Sequence, residues 1–488
     1  MNKSSDPITT SSSSLHNGLE SPPRTAHPVD TILDLFIRIT LSLAPGHDLP
    51  EDGYDRCWNP RTTLWAMIIG FLIHRVVPAS LMEILSHMKS GAADRLSSPG
   101  KTISVLLKNT VSTSAFSQAR PRLPEEDMRA AMTGQALAIS GPAAGYDWRG
   151  VRVLVLDGTM CSLANIGEVS AEFSPSSNQH GPSHWCQMRV LGCFCAGTGL
   201  MPGCVSNDQS VSEQEQPVHL MLRSKERFGA SPLLWMGDRN FGVWRVAAAV
   251  AQSGGDILVS LSAPRAAKLL GEKPMDGMDK EVVWSPSRHD QTDGGLVRTE
   301  VKGRVIVKRI EIRGCRPWTL VAFTTLADRA VYAVEEIARL YLKRRGIELG
   351  FRQIKRQIGL EHMPGVKSGG MARRQLYAAM TAHNLVRGVM LLSAAVHGIP
   401  LERMSFAAAA SLLGVFVTTP AAAGDDARPK DLMENILYLL SKQVIPLRRH
   451  PRPREPRQKR HRQETYPPLR GDRQQAREKL LEEFDQVA

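Results

Sequence analysis

Two short, almost uninterrupted apolar runs, each closed by an aspartate, constrain the fold more than any other feature of the chain: Val153-Leu154-Val155-Leu156-Asp157-Gly158-Thr159 and Leu233-Leu234-Trp235-Met236-Gly237-Asp238-Arg239. A strand that is apolar at every position is buried on both faces, which places it inside a sheet covered by helices on two sides. Open α/β sheets collect ligands at the carboxyl ends of their strands. If the two strands are neighbours, the carboxylates meet there, and their repulsion is tolerable only with a cation between them. The pattern alone is ambiguous, because Asp is also an ordinary turn residue.

The rest of the chain arranges itself around these runs. Residues 1–30 are Ser, Thr, Pro and polar groups with nothing to bury, so a disordered tail is expected, and without an apolar core this is not a secretory signal. Over 31–145 the periodicity is helical, with Ile32, Leu35, Phe36 and Ile39 at helix spacing and further helices over Leu64 to Val76 and Ser80 to Met88. A separate helical domain is the expectation, and Arg120 and Arg122 near its end suit either DNA phosphates or a solvated helix end. Residues 146–264 alternate strand and helix: strands at Val151 to Leu156, Met188 to Cys195, Leu200 to Val205, Leu233 to Met236 and Ile257 to Leu261, helices over Glu213 to Phe228 and Val243 to Gln252. Residues 265–320 read as a β insertion, from the alternation through Val301, Val305, Val307, Ile310 and Ile312. Residues 321–395 return to helix, from about Arg329 to Gln357 and from Met371 to about Val396. Residues 396–488 add a helical segment and a tail in which eight Arg and Lys between Arg448 and Arg462 mix with Pro.

The net charge of +13 suits a polyanionic partner, nucleic acid before a membrane surface. Seven Cys without regular spacing point to free thiols in a reducing, cytoplasmic setting. A zinc site among Cys186, Cys193, Cys195 and Cys204 lacks the paired C-x-x-C pattern, so these read as small buried side chains. Apolar runs such as Leu64 to Ile73 are too short to span a bilayer.

The helix near the end narrows the chemistry. Tyr341, Arg344, Glu348 and Lys355 lie at i, i+3, i+7 and i+14, and at about 100° per residue they fall within roughly a sixth of the circumference. The stripe Leu340, Ile347, Phe351 and Ile354 runs beside them, so the charged row borders the buried face. A structural row of ion pairs is the bland alternative.

The spacing Y-(2)-R-(3)-E-(6)-K from Tyr341 to Lys355 resembles the signature of the DDE transposases of bacterial insertion sequences, specifically the insertion-sequence-four family. Leu156-Asp157-Gly158-Thr159 and Gly237-Asp238-Arg239-Asn240-Phe241 resemble that family's motifs around its first and second Asp, and Phe116-Ser117-Gln118-Ala119-Arg120 a segment of its N-terminal domain. The likeness covers roughly residues 30 to 395. It departs at Arg345, where the family often has Trp.

This resemblance implies an RNase H-like α/β catalytic core with a β insertion, an N-terminal helical DNA-binding domain and C-terminal helices. It implies cut-and-paste transposition, with Asp157, Asp238 and Glu348 as catalytic residues holding two Mg²⁺ ions, for which Mn²⁺ substitutes. Tyr341, Arg344 and Lys355 would contact phosphates at the transposon end, and Arg239 would lie on the same DNA. Trp318 stands where related transposases stack an aromatic on a flipped base, although a core Trp reads equally well. The implied partners are inverted-repeat DNA, target DNA and at least a second subunit.

Rival readings fare worse. No Arg, His-x-x-Arg and late Tyr set supports a tyrosine recombinase, and Gly100-Lys101-Thr102 fails as a P-loop because Arg95 stands where the first Gly is required. A DNA-binding regulator that has lost catalysis, or a non-transposing RNase H-like nuclease, would have no need of all three carboxylates together with the Tyr, Arg and Lys.

Overall fold

Both apolar runs become strands. The computed structural model describes residues 9–10, 57–446 apart from 75, 93, 95–101, 141–142, 179–180, 224–227, 229–231, 291–294, 313–316, 347, 364 and 421–426, and 471–485. Its strands are β1 (Arg152–Ala164), β2 (Pro175–Asn178), β3 (Gly181–Cys195), β4 (Gly203–Asp208), β5 (Leu233–Gly237), β6 (Asp256–Ser260), β7 (Asp279–Trp284), β8 (Val301–Ile312) and β9 (Trp318–Thr324). Val153, Leu154, Val155 and Leu156 are at most 3% exposed, and all five residues of β5 are buried, as strands covered on both faces require.

The sheet runs β8-β9-β6-β5-β1-β3-β2, with β4 on β3 and β7 on β8. β1, β3 and β4 pair antiparallel, while β1, β5 and β6 pair parallel. That order, an antiparallel meander continued by two parallel strands, fits an RNase H-like core. One apolar cluster, with Trp235, Leu154 and Ala247, fills the space on one face; the other face is covered by a second cluster with Val155, Phe194 and Leu376.

Residues 265–320 do not form a layer apart from that sheet. β9 pairs antiparallel with β6 through Thr324↔Leu258, β8 pairs with β9, and β7 with β8, so they continue the core sheet outward. Thr9–Thr10 adds a parallel two-residue edge at Glu311 and Ile312; the remainder of the expected tail lies outside the described residues. Arg304 on β8 is completely buried. Its guanidinium donates to Leu326 O at 2.8 Å, to Asp279 Oδ2 at 2.9 Å and to Tyr332 O.

The helices of 57–140 share a core with the end of the chain instead of standing apart. They are α1 (Pro60–Leu72), α2 (Leu81–Lys89), α3 (Ile103–Leu107), α4 (Ser114–Ala119) and α5 (Glu125–Ser140). Asn59 caps α1 by accepting from Thr62 N at 2.8 Å, Pro60 opens it, and Ser80 with Glu83 forms a capping box on α2. All but two of the thirteen residues of α1 are buried, so it must be enclosed on every side.

On the sheet side follow α6 (Val169–Glu172), α7 (Gln216–Leu222), α8 (Trp244–Gln252) and α9 (Ala263–Leu270); then α10 (Val334–Leu342), α11 (Glu348–Gln353), α12 (Gly369–His397), α13 (Phe406–Thr418), α14 (Ala427–Ser441) and α15 (Arg473–Asp485). By length and composition α12 could cross a membrane, but it is the central core helix, packed on α1, α5, α13 and α14. Asn384 pins it to the sheet by donating to Met201 O at 3.0 Å and accepting from Met201 N at 2.8 Å.

The α1–α13 contact rests on a glycine. A Cβ on Gly414 would lie 2.4 Å from Leu72 O, a backbone atom that cannot step aside. In an open helix Gly to Ala adds roughly 1 kcal/mol of stability; here Gly414→Ala is expected to remove on the order of 1–3 kcal/mol. Urea denaturation checks this, and a raised midpoint would mean that the two helices are free to part.

Three further expectations are corrected. Within the helix expected over Glu213 to Phe228, Gln216–Leu222 and Phe228 are helical, Arg223 is a turn and 224–227 lie outside the described residues, while Glu213 sits in the turn before the helix. The strand expected at Leu200 to Val205 is Gly203–Asp208. Arg120 is only 4% exposed, its guanidinium 5.6 Å from the centre of the Phe116 ring and close against Gly365, so it is not offered to DNA; Arg122 is exposed. The basic tail from Arg448 to Arg462 lies outside the described residues. Cys161, Cys186, Cys193, Cys195 and Cys204 are buried free thiols in and beside the sheet.

Candidate active site

Register brings the two aspartates together. β1 and β5 run parallel with Val155 opposite Met236, so two residues further on Asp157 and Asp238 leave the same edge side by side. Neighbouring strands lie about 4.8 Å apart. Asp157 is still in the β1 ladder, opposite Gly192, and its Oδ1 accepts from Gly158 N at 3.0 Å. Asp238 opens a turn, its Oδ1 accepting from Asn240 N at 2.8 Å and its carbonyl from Phe241 N.

Burial pushes the Asp157 carboxyl up to about 6. The Gly158 amide and the Arg344 guanidinium oppose the rise, while the charges of Asp238 and Glu213 add to it. That is the state of a buried carboxylate whose desolvation the Arg344 charge and the Gly158 amide do not offset. Hard oxygen donors with uncompensated charge fit a small divalent cation. Among the described residues no three His, Cys, Asp or Glu side chains form a finished ligand set. The Glu348 backbone is the first residue of α11, and its side chain lies outside the described residues.

The expected single helix through the signature is broken. α10 ends at Leu342, Lys343–Gly346 is a 3₁₀ turn, α11 follows, and Ile354–Ile358 widens into a π turn. Gly346 weakens the helix where the turn tightens. The signature residues therefore do not keep ideal helical spacing, and the three whose side chains are described, Tyr341, Arg344 and Lys355, divide into two settings.

Tyr341 and Arg344 join the aspartates. The Tyr341 hydroxyl donates to Gly237 O at 3.3 Å, one residue before Asp238, and Arg344 lies 5.9 Å from the Tyr341 ring centre. Trp318, at the start of β9, tilts against Tyr341 at 6.4 Å. Together with Asp238, the exposed Arg239 and Arg265, these side chains line a recess of about 700 Å³. Lys355 is engaged elsewhere, its ammonium on Met160 O at 3.0 Å and on Glu361 at 3.1 Å.

Sequence reasoning missed Glu213, Asn240 and Arg265. A Cβ on Gly158 would lie 1.6 Å from Glu213 Oε1, so the Glu213 carboxylate rests on the residue after Asp157. Burial raises its proton affinity, and the Asp238 charge does the same. Arg265 donates to Gly242 O at 2.5 Å. Only the apposition of Gly158 to an acid could have signalled Glu213, and that is a tertiary contact.

A mixed sheet that carries an acidic pair at one edge, beside a Tyr-Arg helix, agrees with a DDE-type domain. Residues 148–385 match the family model of the transposase DDE domain. Transposase InsG for insertion sequence element IS4 of Escherichia coli (strain K12) is 22% identical over 282 residues, covering 58% of this chain. The match spans 62% of that relative's own length. The cryo-EM structure of the piggyBac transposase synaptic complex with hairpin DNA is similar over 85% of this chain and 86% of that one, at 12% identity and a TM-score of 0.41.

Proposed function

We propose that the chain is the transposase of an insertion sequence, cutting at terminal inverted repeats and joining the ends to target DNA. The observation that carries the reading is the placement of Asp157 and Asp238 on parallel neighbours beside Tyr341 and Arg344, within a match to the transposase DDE domain. The charge of +13 suits the polyanion.

Asp157, Asp238 and Glu348 would hold the divalent ions, Mg²⁺ with Mn²⁺ able to replace it. When bound, the metal supplies activation of a water or 3′-hydroxyl nucleophile and stabilisation of the leaving oxygen. Arg344, 5.9 Å from the Tyr341 ring centre, would hold a phosphate near the carboxylates with a charge-assisted fork. Tyr341 fixes the turn that carries Asp238 by donating to Gly237 O, and a phosphate oxygen could take over that hydrogen bond.

Trp318 offers a face at the recess of about 700 Å³, room for one unstacked base, with Arg239 exposed at its rim for the backbone. Lys355 would reach a phosphate only by leaving Glu361. The helices over 57–140 would read the repeats, and a second copy of the chain would complete the paired-end complex.

Cleavage of labelled DNA carrying the flanking inverted repeats, with Mg²⁺ or Mn²⁺, tests the reading against Glu348→Ala. Metal-dependent nicking at the repeat ends that disappears in the variant supports it. Binding without cleavage by folded wild-type protein would replace it with a DNA-binding regulator.

A further inference from the structure

Three observations meet at Glu213. Its Oε1 occupies the space a Cβ would fill on Gly158, directly after Asp157. Its Oε2 accepts from Asn240 Nδ2 at 2.6 Å. The backbone N–H of the same Asn240 donates to Asp238 Oδ1 at 2.8 Å, and Gln214 Nε2 steadies the amide by donating to Asn240 Oδ1 at 3.3 Å. Glu213 thus touches the strand that carries one aspartate and, through one residue, holds the carboxylate of the other.

An ordinary surface acid would not be built this way. Glu213 is partly buried in a turn, and the cation that acts on it is Arg189, whose guanidinium donates to Gln209 O at 2.9 Å. A third negative charge beside two aspartates disfavours the empty site and favours a site that contains a cation. Outer groups that orient carboxylate donors commonly change metal affinity by about 10- to 100-fold when removed.

We propose that Glu213 is a positioning residue of the carboxylate site: through Asn240 it fixes Asp238, and its own charge over Gly158 strengthens the hold on the divalent cation. The inference rests on the metal-dependent reading above and goes beyond the three carboxylates of that reading.

Mn²⁺ binding to the full-length protein without DNA, read by electron paramagnetic resonance of the free ion, tests it. Glu213→Gln keeps the size of the side chain and an oxygen for Asn240, and is expected to weaken Mn²⁺ binding by about tenfold or more. Gly158→Ala retains every acid but displaces the Glu213 carboxylate, and is expected to weaken binding as well. DNA cleavage by Glu213→Gln should recover as Mn²⁺ is raised, which a merely structural defect would not do. Circular dichroism establishes that the variants are folded, and a variant that unfolds is replaced in the comparison by the other. Wild-type binding that both variants match would overturn the role of Glu213 while leaving the transposase reading intact. A wild type that binds no Mn²⁺ would overturn both.

Discussion

Asp157→Asn is expected to give a protein that is inactive on DNA yet more stable than the wild type at pH 8 in the absence of metal. On the proposed reading Asp157 would hold the metal, and its loss would remove several kcal/mol of transition-state stabilisation, so cleavage should fall by about a thousandfold or more. The stability gain follows from the raised proton affinity. The Asp157 carboxyl moves from an ordinary 3.8 up to about 6 on folding. A folded pKa above the unfolded one means that its contribution to stability is fully present below about 3.8 and is lost as pH rises through 6. At pH 8 the buried charge therefore costs about 2 kcal/mol once partial exposure is discounted. Asn carries no charge and escapes that cost.

Chemical denaturation at pH 8 and pH 4 should show the advantage of the variant at the higher pH and its disappearance at the lower. Mg²⁺ should reverse the order at pH 8, because ligand binding stabilises only the protein that binds it. Parallel pH profiles for wild type and variant would show that Asp157 is well solvated and that no buried charge strains the site.

The second large effect is expected at Arg304, far from the chemistry. Arg304→Met would leave the carbonyls of Leu326 and Tyr332 without their donor and Asp279 with Arg329 as its remaining cation, at 3.1 Å. Removing one member of a buried ionic network costs about 3–5 kcal/mol. The ion pair of Lys280, on the neighbouring strand β7, with Glu272 in the loop before it is half-exposed, and Lys280→Ala should cost at most about 1 kcal/mol. Urea denaturation of both variants gives the comparison directly. Equal, small losses would show that the β7–β8 edge tolerates a neutral side chain. The loops that Arg304 ties down lead into α10, so the variant should also loosen Tyr341.

The sheet was legible where burial left a mark in one dimension. An apolar run of four or five residues followed by Asp announces both β1 and β5, and the spacing from Tyr341 to Lys355 survives any local irregularity. What stayed hidden was decided by contacts distant in sequence. No pattern in residues 341–358 foretells a 3₁₀ turn beside Gly346 and a π turn at Lys355, since each depends on what packs outside the helix. Arg120 reads as a surface cation until Phe116 and Gly365 enclose it. Glu213 reads as the first residue of a helix, and only the meeting of two loops makes it part of the site.

The enclosure of α1 has a consequence for the order in which the chain is made. A helix apolar on every face leaves the ribosome early, whereas α12 and α13, which cover it, lie roughly 300 residues later, about 15–60 s of synthesis at 5–20 residues per second. During that interval the first helices have no native partner, and they are the natural substrate for a chaperone. The carboxylate edge is under the same constraint, because the signature segment is anchored to β1 by contacts 195 positions apart in sequence. A ribosome-bound or truncated chain can therefore carry both aspartates without an assembled carboxylate site, and the proposed activity should appear only once synthesis has passed α12.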